Sequence, residues 1–131
     1  MKLYGYWRSS ASWRVRIGLN LKGVEVEHVS VHLVRGGGEQ KSPEHVKRNP
    51  MGQVPVLKLD DGQCLTQSLA IIEYLEETHP EPPFLPADPV ERARVRALAL
   101  VPNCEMHPVN NRRIREYIVN DLDLGRDTMI E

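Results

Sequence analysis

The chain has 131 residues, 17 Lys+Arg against 18 Asp+Glu, a formal net charge of −1, and 40% hydrophobic and 27% charged residues. That balance excludes wholesale disorder and removes the electrostatic case for binding nucleic acid or an anionic membrane surface. No apolar run nears the roughly 20 residues of a membrane span, the Met1–Tyr6 segment is too short and polar for a secretory signal, and a chain of this length can bury a core without a metal or disulfide.

Residues 2–6 are apolar and aromatic and predict a short strand. From Ser9 to Lys22 the period becomes helical: Trp13, Ile17 and Leu21 fall at i, i+4 and i+8, with Val15 and Leu19 widening the expected buried face. Gly23 is the expected stop. Residues 24–33 read as a second strand, with Val29, Val31 and Leu33 alternating, and Arg35 to Glu39 as a flexible loop. Ser42-Pro43-Glu44 opens a short helix, with Ser as cap and Pro in the first turn. Asn49 to Pro55 is too turn-rich for regular structure. Val56 to Leu59, Asp60-Asp61-Gly62 and Gln63 to Thr66 predict a hairpin. Ser68 is the expected cap of a helix over residues 69–78, ending before Pro80. The order β-α-β-α-β-β-α needs about 80 residues and predicts a compact α/β domain. A Pro-rich stretch follows, expected to act as a stiff linker. Asp88-Pro89 restarts a helix bearing Val95, Leu98 and Ala99 on one face, which Pro102 should kink or break. Residues 103–120 continue as helix. These last helices have no visible partner for their apolar faces, so the chain reads as cut short.

Three segments carry chemistry. Arg8-Ser9-Ser10-Ala11-Ser12-Trp13-Arg14 sits where the first strand gives way to the first helix. Such a junction presents unpaired N–H groups and the positive end of the helix dipole, where a hydroxyl can donate to an anion such as a thiolate. Simple capping by Ser9 or Ser10 explains the same residues. Gln53-Val54-Pro55 contains a candidate cis peptide that would leave the Val54 N–H and C=O pointing outward for an extended peptide ligand; a trans strand start is the ordinary alternative. Gln67-Ser68, at the start of the third helix, forms a carboxylate-binding corner or a plain cap. Cys64 and Cys104 have no ligand-spaced partner, so no metal is expected and a reduced compartment is the default.

Together, Arg8 to Ile17, Asn49 to Pro55, Gln67 to Glu77 and His107-Pro108-Val109-Asn110-Asn111-Arg112-Arg113 make the sequence resemble the zeta-class glutathione transferases, across essentially its whole length. The resemblance implies a thioredoxin-like glutathione-binding domain over residues 1–80, a linker over 81–88, and a partial all-helical domain over 89–131. It implies glutathione as cofactor and a small dicarboxylic keto-acid as substrate, with no nucleic-acid or membrane partner, in a cytoplasmic homodimer. Residue by residue, it implies that Ser9, with Ser10 beside it, meets the glutathione sulfur and that Arg8 anchors the anionic substrate. Val54 would pair with the cysteinyl backbone, Gln67 and Ser68 would hold the γ-glutamyl end, and Gln40 and Gln53 would reach the ligand's backbone or glycine end. His107, Asn111, Arg112 and Arg113 would face the cleft; His107 and Asn111, at i and i+4, would share a helix face. Ala11 stands where the family commonly has Cys, which rules out a thioredoxin-type redox role but leaves glutathione to bring the attacking sulfur. The implied reaction is cis–trans isomerisation of maleylacetoacetate or maleylpyruvate, with conjugation or dehalogenation of small acids, or non-catalytic binding, as alternatives.

Overall fold

The structure is a computed structural model that describes residues 1–125. It divides into two compact units, Met1–Phe84 and Leu85–Glu131. In the first, β1 (Lys2–Gly5), β2 (Glu27–Ser30), β3 (Val56–Lys58) and β4 (Cys64–Thr66) form one sheet in the order β2-β1-β3-β4. β1 runs parallel to β2 and antiparallel to β3, and β4 is antiparallel to β3. Three helices complete the unit: α1 (Ser10–Lys22), α2 (Pro43–Arg48) and α3 (Ser68–Thr78).

The sheet has a core on each face, because β1 and β3 alternate their side chains. Leu3 and Leu57 join Val15 and Leu19 of α1 and Ile71 and Leu75 of α3. Tyr4 and Val56 turn the other way and pack with Val31. There the Arg48 guanidinium of α2 stacks 4.2 Å from the centre of the Tyr4 ring, a cation–π contact that seats α2 on that face.

α1 begins and ends as its sequence requires. Ser9 accepts a hydrogen bond from the Ser12 N–H, and Gly23 closes the helix at φ 65°. Its buried face is the expected one only at Val15 and Leu19. Ser12, Val15, Gly18, Leu19 and Lys22 are buried, whereas Trp13, Ile17 and Leu21 remain 61%, 49% and 59% exposed. Lys22 explains the rotation. Its Nζ donates to Glu76 Oε2 at 2.6 Å and to the Pro82 carbonyl at 2.7 Å, and it lies 4.2 Å from the centre of the Phe84 ring. Glu76 Oε2 also accepts from the Phe84 N–H at 2.9 Å. A buried ammonium needs such partners, and it finds them on α3 and in the segment that follows it.

β2 is shorter than residues 24–33 suggested. Val24 is drawn into the end of α1 through a bond from its N–H to the Leu19 carbonyl, 2.9 Å, and past Ser30 one further bond to β1 remains, from the Val31 N–H to the Gly5 carbonyl at 2.8 Å. The loop expected at Arg35 to Glu39 winds into single 3₁₀ turns at Arg35–Gly37 and Glu39–Lys41.

The second unit contains α4 (Pro89–Leu100), a wide π-helical turn at Val101–Met106, α5 (His107–Asn110) and α6 (Arg112–Asn120). Asp88 caps α4 by accepting from Val90 and Glu91 N–H. The π turn begins where Pro102 removes a backbone donor, which is where the break was expected. No residue of α4, α5 or α6 is buried.

Candidate functional site

Strand register assembles the site. Tyr4 pairs with Val56, and Val56 with Thr66. The end of β1, the start of β3 and the end of β4 therefore lie at one end of the sheet. Arg8 to Ser10, Gln53 to Pro55 and Gln67-Ser68 all leave the sheet there, so three segments separated in sequence come to the same place.

Ser9 has a double capacity. Its Oγ accepts from the Ser12 N–H at 3.2 Å, while its hydroxyl hydrogen has no acceptor among the described residues. Capping and donation to an anion are thus compatible in one side chain. Ser10 and Arg8 are exposed, and Arg8 lies 5.6 Å from the centre of the Trp7 ring. Behind them, fully buried Ser12 fixes the junction, its Oγ accepting from the Tyr6 N–H at 3.4 Å.

The Val54–Pro55 peptide is cis. Among the described residues, nothing pairs with the Val54 N–H or C=O. The carbonyl just before it is firmly held: Gln53 O accepts from His45 Nε2 and from Asn49 Nδ2, each at 2.9 Å.

At the third segment, Ser68 is not the cap of α3 but its first residue, and Gln67 in the cap position gives the helix no side-chain capping bond. The buried Ser68 Oγ instead accepts from Arg14 Nη1 at 2.6 Å, tying α1 to α3. Burial lowers the pKa of the Arg14 guanidinium from its ordinary value. Gln67 takes φ 68° and ψ 114°, a conformation that costs a non-glycine residue about 1–3 kcal/mol and that gathers at ligand clamps. Its side-chain Nε2 lies 3.7 Å from Met51 Sδ, joining this corner to the turn before Val54.

The remaining expected residues are placed as follows. Gln40 is buried, its amide packed against Gly38, and its Oε1 has no partner. Gln53 is half-buried. In the second unit His107 opens α5, but Asn111 is extended at φ −80° and ψ 159° and caps α6 by accepting from the Arg113 N–H. The expected shared helix face for His107 and Asn111 is therefore lost, because Asn111 ends one helix and begins the next. Arg112 Nε donates to Glu116 at 2.6 Å, while its buried Nη1 has no partner; Arg113 is exposed. Arg14 and Asn49 lie in segments the sequence singles out but carry no expected role there, and His45 carries none either. Only the pairing of Arg14 with a helix start 54 positions away, a long-range contact, could have revealed the first.

Residues 1–77 match the family model "Glutathione S-transferase, N-terminal domain". The chain is 50% identical over 111 residues to the maleylacetoacetate isomerase of Pseudomonas aeruginosa, covering 85% of this chain and 52% of that protein. It is 54% identical over 120 residues to a maleylpyruvate isomerase from Ralstonia, covering 90% of this chain and 54% of that protein. The chain thus spans about half the length of these relatives. Among solved structures, a maleylpyruvate isomerase described as a bacterial zeta-class glutathione S-transferase superposes with a TM-score of 0.92 at 47% identity, over 98% of this chain and 59% of the other. A maleylacetoacetate isomerase from Methylobacterium extorquens AM1, solved with malonate and glutathione bound, gives 0.94 at 47% identity over 99% and 60%. The family model spans more than half of this sequence and the relatives agree with it, so the chain belongs to the glutathione S-transferase family, in its zeta class.

Proposed function

We propose that the protein binds glutathione at the end of the sheet described above and, as part of a full-length enzyme, isomerises maleylacetoacetate or maleylpyruvate to the fumaryl product. The unpaired Val54 backbone, lying with Ser9 and Ser68 at one end of one sheet, is the observation that supports this most. These groups suit the chemistry of the ligand. The Val54 N–H and C=O match a peptide backbone, the start of α3 offers N–H groups to a carboxylate, and the Ser9 hydroxyl offers a donor to sulfur. When bound, glutathione would supply the thiolate nucleophile for reversible addition to the conjugated cis double bond, with Ser9, Val54, Gln67 and Ser68 as the residues that would hold it.

Around that chemistry, Ser9 donates to the sulfur from the positive end of α1 and favours its ionised form, with Ser10 beside it. Val54 fixes the cysteinyl part, Gln67 and Ser68 the γ-glutamyl end, and Gln40 and Gln53 are the proposed contacts to the rest of the tripeptide. Arg8 carries one of the cationic charges a dianionic substrate requires, and Arg112 or Arg113, with His107 and Asn111, are the proposed contributions of the second unit. The proposed working form is a cytoplasmic homodimer.

Isomerase assays on both maleyl substrates, with and without glutathione, test the reading. Ser9→Ala is expected to raise the apparent pKa of bound glutathione and lower turnover, and Ser10→Ala to do less. Identical pH profiles for Ser9→Ala and the parent would overturn the sulfur assignment.

A further inference from the structure

We propose that His45 and Asn49 are positioning residues that aim the Val54 N–H at its ligand, an inference resting on the glutathione reading above. Both belong to the α2 end of the molecule, and both are deeply buried, at 2% and 4% exposure. Each directs its side chain at the same target, the Gln53 carbonyl, at 2.9 Å. A carbonyl oxygen only accepts, so the His45 Nε2 carries the hydrogen. The Asn49 amide is oriented from its other side, since Oδ1 accepts from the Met51 N–H at 3.1 Å.

The consequence follows from peptide geometry. The Gln53 C=O and the Val54 N–H belong to one planar trans unit and point in opposite directions. Holding the carbonyl toward α2 therefore turns the N–H away from α2, where no described residue meets it. Without those donors the peptide plane is free to tip about its flanking bonds, and the N–H loses its aim. A purely space-filling role does not account for the choice of residue. His45 leaves Nδ1 buried with no partner, a cost that an apolar side chain of similar volume avoids.

The test is calorimetric titration of the full chain and its variants with glutathione, with urea unfolding run in parallel. His45→Leu is expected to weaken glutathione binding about tenfold, the worth of one well-placed hydrogen bond. His45→Gln, whose amide can place a donor near the same point, is expected to recover binding to within about threefold. Loss in both variants, tracking stability alone, or full binding by His45→Leu, overturns the positioning role. Failure of the unmutated chain to bind glutathione overturns the underlying reading instead. Nitrogen-15 NMR of the unmutated chain provides the measurement that survives a variant that does not fold. Protonated Nε2 and bare Nδ1 on His45, with a Val54 amide that shifts on adding glutathione, are expected. A hydrogen on Nδ1 with Nε2 bare, or an unmoved Val54 amide beside other shifting signals, overturns the proposal.

Discussion

In the first unit, Leu3, Val15, Leu19, Leu57, Ile71 and Leu75 are each no more than 2% exposed, while along α4, α5 and α6 no residue is buried and Leu98 stands 73% in water. The two units are built from similar fractions of apolar residues but hold their elements by different means. The first has a sheet whose faces are covered by its own helices, so side-chain volume and buried partners decide its stability. The second relies on what a helix can do alone: the Asp88 cap, the Asn111 cap, and local pairs such as Glu91 with Arg94 and Arg112 with Glu116. Such terms are each worth a few tenths to about 1–2 kcal/mol.

The sharpest way to break this contrast is at the buried ion pair. Lys22→Ala removes the ammonium that faces Glu76, whose side chain is 10% exposed, and is expected to destabilise the first unit by about 3–5 kcal/mol. Both tryptophans, Trp7 and Trp13, lie in that unit, so urea unfolding followed by tryptophan fluorescence reads it directly. A loss below about 1 kcal/mol would mean that the pair behaves like an exposed one. Leu57→Ala, at a fully buried position between the helices and the sheet, should cost about 2–5 kcal/mol in the same assay. Asp88→Ala should instead weaken α4 by about 1 kcal/mol; amide exchange at Val90 and Glu91 is expected to quicken while the β1 and β3 amides stay as protected as before. Smallest of all, Leu98→Ala should change stability by no more than about 0.5 kcal/mol, as for a surface site. An effect as large as that of Leu57→Ala would reveal a packed environment around Leu98.

Much of the first unit was legible because its signals are local. Ser9, Ser42 and Gly23, like Asp88 in the second unit, sit at helix ends for reasons that require only neighbouring residues. The hairpin around Asp60-Asp61-Gly62 is set by the chain's own alternation. The face of α1 was not legible, because the apolar series Trp13, Ile17, Leu21 is as regular as the one actually buried; Lys22, a charged residue, settles the rotation through partners 54 and 60 positions away. Ser68 was misread as a cap for a similar reason, since its bond goes to Arg14 on another helix. At the proposed site, Ser9, Val54, Gln67 and Ser68 could be named from local sequence alone. The buried polar pair behind them, His45 and Asn49, could not, because nothing in the pattern of α2 distinguishes a buried imidazole from a surface one.

The grip of Lys22 on the Pro80 and Pro82 carbonyls, and of Glu76 on the Phe84 N–H, governs where this polypeptide can be cut. By composition, residues 80–84 invite trimming: they are Pro-rich, lie outside every helix and strand, and follow the last helix of the sheet domain. Yet a protease or a gene designer who stops at His79 removes the Pro80 and Pro82 carbonyls from the buried Lys22 ammonium and the Phe84 N–H from the Glu76 carboxylate. A minimal version of the domain that keeps Phe84 should express and resist digestion better than one five residues shorter, although the five add no secondary structure.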